Sequence, residues 1–142
     1  MNVEPGQGFY LQIPYFGDGE TALKPRTFLV ISVTHNTVAV LNVSSLVGKE
    51  SKLLIPSNEK INNFKPPFLM PSFVKLNVIY EIEYFPEIKR AILHNAQRLD
   101  DIEFKRILIK LNTYQRSRPL KYRFSVNDIV KCNSRLTKSI TS

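Results

Sequence analysis

Two apolar, β-branched runs constrain this chain more than any other feature. Residues 28–33 and 38–43 are separated only by Thr34-His35-Asn36-Thr37. Four polar residues leave no room for a crossover, so the runs pair antiparallel as a hairpin, with Asn36 suited to the positive φ of a tight turn. Arg26 stands at the entrance of the first run, in "KPRTFLVIS", and Ser44-Ser45 stand at the exit of the second. In an antiparallel pair these ends share one edge of the sheet, where a guanidinium and hydroxyls can converge on an external site. Two readings of Arg26 stay open at this level. It braces a loop carboxylate, Asp18 or Glu20, or it faces an anion from outside.

The sequence around the hairpin is also largely β. "GFYLQIPYF" predicts a first strand running into a loop over residues 17–25 that delivers Arg26. "SKLLIP" predicts a short strand, "NEKINNFKPP" a polar loop stopped by prolines, and "SFVKLNVIYEIE" one period-two strand. Asp100-Asp101 ahead of "IEFKRILIKL" predict a helix with carboxylates in its first turn and Lys110 in its last. Past Tyr114, "QRSRPLKYRF" is basic and broken by Pro119, and Ser125 is placed to cap a short final helix, "VNDIVKCNSRL". The predicted fold is mainly β (α+β). It is a small, strongly bent antiparallel barrel closed by a helix over residues 1–114, followed by a basic, partly helical extension over 115–142.

Composition bounds the chemistry. With 142 residues the chain can bury roughly two-thirds of its unfolded surface without a disulfide or metal. The single cysteine, Cys132, cannot bridge within the chain, and neither a signal peptide nor an apolar span is visible, which predicts a reducing, cytoplasmic setting with no membrane partner. His35, His94 and Cys132 lie too far apart for metal-ligand spacing, and no nucleotide-binding or nucleophile-elbow motif occurs, so neither metal nor cofactor is expected. His35 remains a candidate general base in the hairpin turn. The net charge of +8 points to an anionic partner. Its distribution is uneven: residues 1–104 carry ten Lys and Arg against eleven Asp and Glu, whereas residues 105–142 carry ten against Asp128 alone. By charge alone, that basic end is either a solvated surface or a nucleic-acid contact.

The segment "RTFLVIS" resembles the R-P-x-L-V-I-S motif of the MazF/PemK endoribonuclease toxins, and Gly6-Gln7 with "IPYFGDGE" resembles that family's G-D…F-P…G-x-E opening. "VAVLNVSS", "LNVIYEIE" and "RLDDIEFKRILIKL" resemble, in order, its Pro-x-Thr-Ser strand, a later strand and its closing helix. The resemblance spans about residues 6–112, and departures include Thr27 for a proline and Tyr80 for a frequent arginine. It implies an SH3-like barrel, a homodimer, metal-independent cleavage of single-stranded RNA, and inhibition by a cognate antitoxin protein with an acidic peptide. It further implies that Arg26 and Ser44 are catalytic.

The chemistry suits those residue types. Attack by the RNA's own 2′-hydroxyl passes through a phosphorane whose extra negative charge a fixed guanidinium can meet bidentately, while Ser44 donates to a phosphoryl oxygen. Arginine is a poor proton acceptor, so Arg26 stabilises charge first and donates toward the leaving 5′-oxygen second; the general base is not identified. Tyr15, Phe16 and Phe68 are candidates for stacking on unpaired bases, and Glu20, Lys24, Ser45, Lys65 and Asn77 for contacts to RNA phosphates or base edges. Two alternatives remain. One is a gyrase-poisoning toxin like CcdB on the same barrel, and the other is a non-catalytic nucleic-acid-binding module.

Overall fold

The hairpin is the spine of the molecule. In the computed structural model, which describes residues 2–15, 24–115 and 120–137, β2 (Arg26–Val33) pairs antiparallel with β3 (Thr37–Ser45). The register runs from Thr27↔Val43 to Val33↔Val38, with a bulge between Val30 and Ser32. The turn closes differently from the sequence expectation. The Thr34 hydroxyl accepts from the N–H groups of Asn36 (3.4 Å) and Thr37 (3.0 Å), which holds the turn with no positive φ at Asn36.

β1 (Gly8–Leu11) pairs antiparallel with β2. The other side of β3 is shared, β5 (Ser72–Lys75) lying along its end and β6 (Ile79–Glu83) along its beginning. The single strand predicted over 72–83 is therefore two. Leu76, Asn77 and Val78 fall out of register between them, and the Leu76 N–H turns away to the Ser57 carbonyl at 2.7 Å. β4 (Asn58–Ile61) pairs with β5, so the first four residues of the predicted polar loop are a strand while 62–67 remain a loop; a polar edge strand suffices there because Ile61 is its one buried residue. "SKLLIP" is a 3-10 turn over Glu50–Leu54 rather than a strand, since β5 already occupies the edge of β3 that it would need.

The sheet does not stop at residue 114. β7 (Lys121–Phe124) adds to β6 in parallel, so part of the segment read as a basic extension lies in the same sheet. Lys121 and Arg123 alternate with Tyr122 and Phe124, a period-two pattern that the charge of the segment obscures. Ser125 caps α2 (Val126–Cys132) as predicted, its hydroxyl accepting from the Asp128 N–H (3.2 Å) while the Asp128 carboxylate accepts from the Ser125 N–H (2.8 Å). α1 (Asp101–Gln115) begins with its carboxylates but runs past Lys110, because Leu111 and Tyr114 carry its apolar face a further turn. The result is a mainly antiparallel sheet with a few helices.

Alternation along the strands divides the buried residues between two cores. One side holds Phe28, Val30, Val38, Val40, Tyr80 and Ile82, covered by Phe124, Ile129 and Leu136 from the chain's last third. The other side holds Leu29, Ala39, Leu41, Val43 and Val74, covered by Ile107 and Leu111 of α1. Among the described residues no helix is long and apolar enough to cross a membrane.

Candidate functional site

The first side of the sheet changes character along its length. Phe28 lies opposite Asn42, Ser44 opposite Phe73, and Asn58 opposite Lys75, so period-two geometry continues the face of the first core into Arg26, Asn42, Ser44, Asn58 and Lys75. These residues line a basin of about 450 Å³. The break between β5 and β6 adds Asn77 and Val78, and the floor reaches Phe73 and Tyr80. Lys49 and Lys52 enter from the segment after β3. Gly48, at φ 71°, reverses the chain there, and the 3-10 turn closes with Lys52 N–H donating to the Lys49 carbonyl at 2.9 Å.

Arg26, Lys49, Lys52 and Lys75 thus share one concave surface, and none of its described lining residues is a carboxylate. Like charges gathered this way raise the local potential for an anion. The two serines at the strand exit separate cleanly. Ser44 faces the basin, whereas Ser45 pairs with Ser72 one position on and its hydroxyl accepts from the Val47 N–H at 3.2 Å. Asn42 is buried, with its amide nitrogen donating to the Thr27 carbonyl at 3.2 Å.

Of the residues singled out in the sequence, Arg26, Ser44 and Asn77 come together here. Lys65 and Phe68 do not. They line a second cavity of about 390 Å³ with Pro66, Pro67, His94 and Asn95, and Phe68 packs into the core under α1. Tyr15 packs edge-on against Tyr122 (5.9 Å) and Phe124 (5.2 Å), and Phe124 in turn stacks on Tyr80 at 6.2 Å. Tyr15 therefore joins the aromatic cluster that includes the basin-lining Tyr80. Lys24 is exposed ahead of β2 and is not among the lining residues, and His35 sits in the hairpin turn at the far end of β2 from Arg26. Phe16, Asp18 and Glu20 lie outside the described residues.

Sequence reasoning missed Lys49, Lys52, Lys75, Asn42 and Asn58. Asn42 and Ser44 are two apart on one strand, a spacing that places both on one face once the strand is accepted. The lysines carried no such mark, because they lie within residues 1–104, whose charges nearly cancel. The described residues contain no group of three or more His, Cys, Asp or Glu side chains arranged to hold a metal ion. No protein-family model and no curated protein matches the sequence.

Proposed function

We propose that the protein is a toxin-class endoribonuclease that cuts single-stranded RNA without a metal. The observation that carries this reading is the convergence of Arg26, Ser44 and three lysines on one basin of nucleotide size. Arg26, Lys49, Lys52 and Lys75 on one concave surface suit a phosphodiester. The bent sheet is read here as an SH3-like barrel, with the segment that follows β6 closing it along β1 through the bridges Phe9↔Ile92 and Gln7↔Arg98.

In the reaction, the 2′-oxygen attacks phosphorus and loses its proton to a base. The P–O5′ bond then breaks, leaving a 2′,3′-cyclic phosphate and a 5′-hydroxyl that gains a proton. Arg26, anchored in the first pair of β2, meets the extra charge of the phosphorane with two parallel N–H donors, and Ser44 supplies a third hydrogen bond. Lys49, Lys52 and Lys75 hold the neighbouring phosphates as point charges. An acidic segment of a cognate antitoxin protein would fill the same basin by charge, and the working unit is a homodimer in the cytoplasm.

The test is to incubate the purified protein with mixed RNA in EDTA and map the cut ends. Fragments with 5′-hydroxyl and cyclic phosphate termini, lost in Arg26→Ala, are expected. Intact RNA bound with a steep salt dependence would replace the enzyme with a non-catalytic binding module. Growth inhibition that survives Arg26→Ala would favour a gyrase-poisoning mode.

A further inference from the structure

The basin contains a buried amide whose orientation is set by the fold. Asn42 is 4% exposed, and its Nδ2 donates to the Thr27 carbonyl across the hairpin at 3.2 Å. A carbonyl demands a donor, so the nitrogen is committed to the sheet and the amide cannot turn over without losing that bond. With Nδ2 committed to the sheet, Oδ1 is the acceptor that Asn42, as a lining residue, can offer to the basin. Asn58, on the facing wall, repeats the arrangement, its Nδ2 donating to the Lys52 carbonyl at 3.0 Å. Between them Phe73 and Val78 supply apolar surface. Cationic side chains around the rim fit phosphates, but a fixed acceptor on an apolar floor fits a hydrogen-bond donor that carries no charge.

We infer that Asn42 makes the basin selective for cytosine or adenine, the bases that carry an amino group at pyrimidine C4 or purine C6, beside the bound phosphate. Cytosine N4 and adenine N6 present N–H donors where uracil and guanine present a carbonyl oxygen. A carbonyl pressed against Oδ1 leaves two acceptors facing each other with water excluded, and a site built for a donor rejects the analogue that lacks it more strongly than it rewards the match. The inference rests on the basin being an RNA-phosphate site and not on whether the RNA is cut.

The test is binding, which separates it from catalysis. Fluorescence anisotropy would compare the full-length protein with tetramers of 2′-deoxy-substituted cytidine, of uridine equally substituted, and of the pyrimidin-2-one analogue, which stacks like cytosine but lacks the amino group. Cytidine is expected to bind about tenfold tighter than either of the others. Asn42→Val should bring the cytidine affinity down to that of uridine while the salt slope, set by the phosphates, stays the same. Equal wild-type affinities for the three tetramers would overturn the inference while leaving the endoribonuclease reading intact. No binding of any tetramer would overturn both. The wild-type series decides the question even if the variant fails to fold.

Discussion

The two sides of the sheet are closed in opposite ways. Under α1, charge is answered locally: Arg106 reaches Glu103 at 2.5 Å, Glu59 at 3.0 Å and the Lys60 carbonyl at 2.6 Å, and Glu103 also accepts from the Asn62 N–H at 2.7 Å. On the other side an apolar core, sealed by β7 and α2, opens at one end into a surface where Arg26, Lys49, Lys52 and Lys75 line one basin. The first arrangement clamps a helix to a strand. The second gathers side chains of one sign on a concave surface, and such gathering raises the local potential for an anion.

The comparison is broken most severely by removing what seals the basin side. Truncation after Tyr114 deletes Phe124, Ile129 and Leu136, all buried, and strips the partner strand from β6. The expected outcome is loss of the cooperative melt by circular dichroism, not a folded protein that has lost only the charge of its basic end. Next in size is Arg26→Ala, expected to lower the cleavage rate about 10³-fold with the fold retained. Arg26→Lys should recover only a minor fraction, because a point charge cannot reproduce two parallel hydrogen bonds. Ser44→Ala should cost about 10²-fold in rate and Ser44→Thr little, while Ser45→Ala stays near wild type because that hydroxyl serves the turn.

The α1 side gives smaller effects, read in stability rather than rate. Arg106→Ala leaves Glu103 buried without its cation and should cost about 2 kcal/mol in denaturant unfolding, below the range for fully buried pairs because Arg106 is 30% exposed. The pH dependence is subtler still. Burial of Glu103 opposes its ionisation, but the hydrogen bonds from Arg106 and from the Asn62 N–H together outweigh it and hold the carboxyl below its ordinary 4.5. A depressed carboxylate stabilises the native state above its unfolded pKa. That contribution is fully present above about pH 5 and fades as the pH falls below 4.5 toward the folded value. Thermal melts between pH 6 and 3 should therefore fall more steeply for the wild type than for Glu103→Gln.

What the sequence made legible follows from range. The hairpin, the helix start at Asp100-Asp101 and the Ser125 cap are written in neighbouring residues, and all three are present. So is the shared edge that brings Arg26 and Ser44 to one basin. The failures are those that distant partners decide. "SKLLIP" has strand composition but no free strand to pair with, and "NEKI" has loop composition yet pairs with β5. Lys75 and Lys49 are ordinary surface lysines until the sheet brings them to one rim, and no local pattern could separate them from Lys65, which the fold sends to another cavity.

The arrangement of the strand ends bears on how copies of this protein can meet. β1 is bridged along its edge by residues 92 and 98, with Leu93 and Leu99 donating their N–H groups to Gly8 and Gly6 at 2.9 and 2.8 Å. β4 is four residues long, with the Lys60 carbonyl taken by Arg106, and β7 carries exposed Lys121 and Arg123. Among the described residues, a sheet bounded by a covered strand, a short clamped one and a charged one offers no long bare edge on which another chain could extend it. The same elements that shape the basin thus also discourage strand-by-strand aggregation.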